Sequence, residues 1–256
     1  MVLGLFRRGD NPDAPRTPDD TVVYAVGDIH GQLDLLHRLE AEIQADVAKR
    51  AARRRVIVYV GDYIDRGPAS KGVVEHLLTR PLEGFEPVHL IGNHDRWLLD
   101  FLVKPAGGHG WLTNGGRATL ASYGVNNVTS GSQSEQMQTL ASALADALPR
   151  RHLEFFQNLK YSHIEGDYFF AHAGVRPGVP LNDQDPYDLI WIREEFLFSE
   201  EDFGKVVVHG HTPGHTPEEH KNRIAIDTGA FMTGRLTAVA LEGSRRRFLY
   251  GQKSLG

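Results

Sequence analysis

Asp28, His30, Asp62, Asp65, Asn93, His94, His172, His209 and His211 all stand just after short apolar runs. They fall in the segments GDIHG (27–31), GDYIDRG (61–67), GNHD (92–95), AHAG (171–174) and VHGHT (208–212). Taken singly, each segment is a turn signal, because Gly and Asp tolerate left-handed backbone and a lone His is usually a hydrogen-bonded rim residue. Taken together they collect carboxylates and imidazoles, which costs like-charge repulsion and desolvation unless a cation neutralises them. The donors are carboxylate, amide carbonyl and imidazole, with no thiolate. That set suits Mn, Fe, Zn or Mg better than a closed structural zinc site. There are more ligands than one ion needs, and a carboxylate such as Asp62 can bridge two. Two ions about 3.5–4 Å apart stabilise the attacking and leaving oxygens of a phosphoryl displacement.

Such residues need elements that bring them to one place. TVVYAV (21–26) and RVIVYV (55–60) read as buried strands, and VHLI leads into Gly92. Helical spacing follows each strand: Leu36, Leu39, Ile43 and Val47; then Val73, Val74, Leu77 and Leu78; then Trp97, Leu98, Phe101 and Leu102. Repeated strand, Gly-rich turn and helix predict an α/β fold whose early strands are parallel. In open α/β sheets functional residues collect at the carboxyl ends of strands, which would line these segments along one edge.

Downstream, KPAGGHGWLTNGG (104–116) reads as a loop, and 134–149 and 150–159 read as helices. Residues 105–160 are therefore expected to form a helical insertion or cap, shaping access to the site together with the WLTNGG loop (111–116). Strands resume at 167–172, 205–210, 222–227, 236–241 and 246–250, predicting a mixed sheet or a second sheet. The expected organisation is a flexible lead-in over 1–20, one domain over 21–251 and a tail over 252–256.

Composition excludes other classes. A chain of 256 residues with 41% hydrophobic and 24% charged residues can bury a large core. Its net charge of −5 gives no basic field for nucleic acid or an anionic membrane surface. The absence of Cys rules out disulfides, thiolate metal sites and a Cys nucleophile, and fits a reducing cytoplasm. No stretch approaches the roughly 18 apolar residues of a membrane span. MVLGLFRRGD is too short in its apolar run for a secretion signal, so a cytoplasmic location is expected.

The ordered set GDIHG, GDYIDRG, GNHD, HAG and HGHT resembles the phosphoprotein-phosphatase branch of the calcineurin-like metallophosphoesterases. It is most similar to bacterial serine/threonine phosphatases and to the related symmetrical dinucleoside-tetraphosphate hydrolases. The resemblance implies a β-sandwich of two mixed sheets flanked by helices. It implies two divalent ions, with Mn first and Fe, Zn or Mg as alternatives. Asp28 and His30 would hold one ion, Asp62 would bridge, and Asn93, His172 and His211 would hold the other. Pro213 stands where many metallophosphoesterases carry a further histidine, and His209 would stand behind the ligands. His94 would be the general acid, oriented by Asp65, while a metal-bridging hydroxide attacks phosphorus with no phosphoenzyme. Arg66, Asn93 and Arg193 of WIREEF (191–196) would contact the phosphate, the plain alternative for Arg193 being an ion pair with Glu194 or Glu195.

The chain departs from the phosphatases' RGNHE, with Ile91 and Asp95 at the changed positions. GNHD is familiar from the dinucleoside-tetraphosphate hydrolases, whereas GDYIDRG keeps the phosphatases' Asp and Arg pair. The leading expectation is a serine/threonine protein phosphatase acting on a phosphorylated protein or small phosphate ester. The runner-up is a symmetrical bis(5'-nucleosyl)-tetraphosphatase. A non-catalytic, metal-stabilised binding module is a third reading, opposed by His94 and Asp65, which a structural site does not need.

Overall fold

Along Thr21–Val26 alternate side chains enter different cores, and that split organises the molecule. In the computed structural model this strand, β1, is followed by α1 (Leu33–Val47), β2 (Arg54–Tyr59), α2 (Ser70–Thr79), β3 (Glu86–His89) and α3 (Asn93–Val103). Next come α4 (His109–Trp111), α5 (Arg117–Ser122), α6 (Gln133–Ala147) and α7 (Arg150–Gln157). The second half holds β4 (Ser162–Glu165), β5 (Tyr168–Ala171), α8 (Pro186–Trp191), α9 (Glu194–Leu197), β6 (Val206–His209), β7 (Glu218–Glu219) and β8 (Arg223–Ala225). It closes with α10 (Ala230–Thr233), β9 (Arg235–Glu242) and β10 (Arg245–Gln252). The structure describes residues 14–126 and 130–252.

The strands form two mixed sheets, ordered β10-β9-β1-β2-β3 and β4-β5-β6-β8-β7. Val23 and Ala25 of β1 and Val56 and Val58 of β2 pack between the sheets against Tyr168, Phe170, Val206 and Val208. Val22, Tyr24 and Val26 face the other way, onto Leu35, Leu36, Leu39 and Ile43 of α1, in a core that continues through α2, α3, α6 and α7. The outer face of the second sheet buries Phe169, Ala171 and Val207 under Leu189, Ile192 and Phe196. This is the period-2 pattern of strands buried on both faces.

Register then places the site. β1 and β2 are parallel and end level, with Val26 opposite Tyr59, and β3 joins with His89 opposite Tyr59. In the second sheet β5, β6 and β8 run parallel, with Phe170 opposite Val208 and His209 opposite Ala225. Strand ends that lie level put their following turns side by side. The expected strand-turn-helix repeats, the parallel early strands and the two mixed sheets are all present.

Two expectations are refined. Residues 104–116 are not a loose loop: they wind through short helical turns, including an irregular one at Leu112–Gly116. Gly108, Gly115 and Gly116 serve close packing. A Cβ on Gly116 would lie 2.6 Å from the Trp111 ring, and one on Gly115 would lie 2.7 Å from the Arg66 backbone nitrogen. Of the expected lead-in, 1–13 lie outside the described residues, whereas Arg16 N donates to Asp167 and Thr17 N to the Gly243 carbonyl. Most of the expected tail, 253–256, also lies outside them. Among the described residues, no helix is long and apolar enough to cross a membrane.

Candidate metal centre and catalytic site

The turns after β1, β2 and β6 hold His30, Asp62, Asp65, Arg66 and His211 at φ of 46, 53, 73, 65 and 65°. Left-handed backbone is unfavourable for residues with a Cβ and persists where surrounding contacts impose it, commonly at functional sites. At Asp62, Asp95 supplies such a contact. Its carboxylate accepts from the backbone nitrogens of Asp62 (2.8 Å), Tyr63 (3.1 Å) and Gly92 (2.9 Å). It therefore ties GNHD to GDYIDRG and caps α3, and it is fully buried.

Asp28, His30, Asp62, Asn93, His172 and His211 are all buried at one place. His30 donates Nδ1–H to the Ile64 carbonyl (2.8 Å) and His172 donates Nδ1–H to the Val60 carbonyl (3.0 Å). That fixes the tautomer in which each Nε2 carries its lone pair inward, as metal-binding histidines require. The His30 Nε2 lies 3.4 Å and the His172 Nε2 3.6 Å from the two Asp62 oxygens. Asn93 Oδ1 lies 2.9 Å from both His172 Nε2 and His211 Nδ1, and His211 Nε2 is buried without a partner among the described residues. Lone pairs and carboxylates concentrated in this way fit divalent cations. Two groupings have spacings that could hold an ion: His30, Asp62 and His94, and Asp28, Asp62 and His172. Asp62 belongs to both, as a bridging ligand must; the pairing of His94 with His30 and of His172 with Asp28 differs from the expected allotment.

Electrostatics agrees. Burial pushes the Asp62 carboxyl up, but the imidazoles of His172, His94, His30 and His211 pull it well below the usual carboxylate range. Burial lowers His30 to about 3 and His211 to about 2, so both are neutral ligands at neutral pH. Burial, then the nearby Asp227 and Asp62, raise Asp28 well above its ordinary value. Bringing so many acidic groups together is unfavourable without a cation.

Beside this cage His94 Nδ1 donates to Asp65 Oδ2 at 2.6 Å. Asp65 is fully buried and also accepts from Trp111 Nε1 (2.7 Å) and Thr119 Oγ1 (2.6 Å). The insertion therefore grips the carboxylate that orients His94, in addition to any part in access. Arg66 reaches both His30 Nε2 (3.0 Å) and His94 Nε2 (3.1 Å), with its guanidinium over the Phe231 ring at 4.6 Å. Arg193 stands just before α9 with no ion pair to Glu194 or Glu195 among the described residues, and burial first, then its charge among others, lowers the pKa of His172 and His211. It is thus within electrostatic reach of the ligand set.

His209 alone stands apart from its expected neighbours. Its ring packs edge-on against Phe196 at 5.0 Å and its Nδ1 meets the Gly210 carbonyl. The side chain thus turns to the outer core, while His211 enters the cage. Between them Gly210 is required, because a Cβ there would lie 2.0 Å from Asp28 Oδ1. The same holds at Gly92, where a Cβ would lie 2.1 Å from Asp62 Oδ1. Gly92→Ala is expected to displace Asp62, costing about 1–3 kcal/mol of stability and lowering metal affinity at least about tenfold. Thermal melts and metal analysis would check both; an Ala variant with full metal content would contradict the packing role.

Sequence reasoning missed Asp227, Trp111, Thr119 and Phe231. Asp227 follows β8 as the others follow their strands, hydrogen-bonds Asp28, and is raised by burial to about 6. Its place at the end of NRIAID was a usable signal. Trp111 and Thr119 gave none, since their bonds to Asp65 span 46 and 54 positions.

The calcineurin-like phosphoesterase family model matches residues 21–231. The asymmetrical bis(5'-nucleosyl)-tetraphosphatase PrpE of Bacillus mycoides (strain KBAB4) is 27% identical over 84% of this chain and 88% of that protein. A crystal structure of a putative diadenosine tetraphosphatase is similar with a TM-score of 0.61 at 23% identity, covering 94% of this chain and 100% of that one. A serine/threonine phosphatase of Saccharomyces cerevisiae with similarity to human phosphatase PP5 has a TM-score of 0.52 at 11% identity, over 93% and 82%.

Proposed function

The chain belongs to the calcineurin-like phosphoesterase family, and we propose that within it this protein is a two-metal hydrolase of dinucleoside tetraphosphates. One observation carries the hydrolytic reading: a cage of acceptor groups centred on Asp62 adjoins an oriented His94 and a phosphate-sized fork on Arg66. Bound there, two divalent ions supply Lewis-acid charge to the reacting phosphate and acidify water. Asp28, His30, Asp62, Asn93, His172 and His211 would hold them. Arg66 and Arg193 orient the phosphate oxygens by charge-assisted hydrogen bonds. As the imidazolium, His94 keeps Nδ1–H on Asp65, gives its Nε2 proton to the leaving oxygen and is left as neutral imidazole.

For the substrate, the similarity to tetraphosphatases over most of both chains favours the dinucleotide over the phosphoprotein first expected. The phosphatases' arginine before GNHD is Ile91 here, buried in the core, so one cation for a phosphoprotein is missing. The serine/threonine phosphatase reading retains support from the intact GDYIDRG motif. Mn-loaded protein is expected to cleave diadenosine tetraphosphate faster than a phosphoserine peptide. ATP with AMP would mark asymmetrical cleavage, as in the relatives' name, and two ADP the symmetrical mode. Rapid peptide turnover with negligible dinucleotide cleavage would restore the phosphatase reading.

A further inference from the structure

Two helices extend the catalytic site outward as a line of aromatic rings. Trp97 lies one turn after His94 on α3, their rings in edge contact at 5.0 Å. Trp97 meets Trp191 at 4.9 Å, and Trp191 meets His211 at 5.9 Å. Tyr187, one turn before Trp191 on α8, lies nearly parallel to it, with centroids 6.2 Å apart and planes at 28°. Trp97 and Trp191 are half-buried, and Tyr187 is 66% exposed. These rings wall a cleft of about 600 Å³ that also includes Arg96, Asp100 and Tyr161. Its size is that of a small-molecule pocket.

Charge says which part of a substrate enters. Arg96 is neutralised by Asp100 at 2.9 Å, and Asp185 adds negative charge at the same cleft. The cleft therefore repels phosphate, which the Arg66 and Arg193 side serves instead. It favours an uncharged, planar group attached to a phosphate held beside His94 and His211. We propose that Trp97, Trp191 and Tyr187 form a nucleobase-stacking site for the nucleoside nearest the reacting phosphate, an inference that rests on the dinucleotide reading above. Stacking needs only a π face, so the site accepts different bases, with the Arg96 and Asp100 groups at its rim.

Trp97 and Trp191 are two of the three tryptophans, and Trp111 is buried. Intrinsic fluorescence of the metal-loaded protein therefore reports largely on the cleft, over a background from Trp111. ADP is expected to quench it and to bind about tenfold more tightly than pyrophosphate, from the usual strength of base stacking on aromatic side chains. Trp191→Ala should weaken ADP about tenfold and Tyr187→Ala several-fold. Tyr187→Phe should retain affinity, and pyrophosphate binding should be unchanged in each variant. Equal affinity for ADP and pyrophosphate, or ADP affinity untouched by Tyr187→Ala and Trp191→Ala, would overturn the site. If ADP stacks but diadenosine tetraphosphate is not cleaved, the base site stands and the substrate reading fails. Cleavage that proceeds without any quenching by ADP sinks the base site alone.

Discussion

His94→Asn is expected to retain near-normal metal content while lowering turnover about 10²–10⁴-fold on esters with poor leaving groups. The imidazole sits with Nδ1 2.6 Å from Asp65, and Asp65 is itself held by Trp111 and Thr119. That geometry leaves Nε2 as the working atom, beside Arg66 Nη2 at 3.1 Å. An alkoxide leaves only when protonated, so an alkyl phosphate should suffer the full loss. A nitrophenolate, or the nucleotide expelled from a phosphoanhydride, is a weaker base and needs the proton less. The loss should therefore be graded with the basicity of the leaving group. Initial rates over such a series check this, and an equal loss for every leaving group would contradict proton donation by His94. Because His94 also belongs to one possible ion grouping, metal analysis of the variant separates a ligand role from an acid role.

Asp62→Asn is expected to reduce turnover at least about 100-fold, beyond what loss of a supporting partner costs. Its two oxygens face His30 and His172, and it is shared by both groupings of possible ligands. An amide keeps the size and one acceptor for the His94 backbone nitrogen, now donating to Asp62 Oδ1 at 3.0 Å. What it removes is the charge. The turn should survive, since Asp95 holds it through the Asp62 and Tyr63 backbone nitrogens. Metal-free Asp62→Asn should melt modestly below metal-free wild type, because a carboxylate held below its usual range by the surrounding imidazoles contributes stability that an amide does not. A large loss of metal-free stability would show that Asp62 is chiefly structural.

The strand ends were legible because buried apolar runs terminate at Gly followed by donors, and parallel register brings such ends level. Which way a side chain turns after the last strand residue was less legible. His209 and His211 are two apart, yet Gly210 and the left-handed backbone at His211 send one to Phe196 and the other to Asn93. Asp95 was legible as a departure from the phosphatases, but its role was not. Its three backbone donors come from two turns that only tertiary structure brings together. Gly115 and Gly116 read as looseness because composition records the missing Cβ and not the Arg66 backbone or Trp111 ring that fills its place.

A dinuclear hydrolytic site is tested most directly by stepwise addition of Mn2+ to chelator-stripped wild type, with bound metal and turnover followed together. The expected result is two ions per chain, with turnover approaching its maximum only as the second is bound. Full turnover at one equivalent, or in the stripped protein with chelator present, would contradict it.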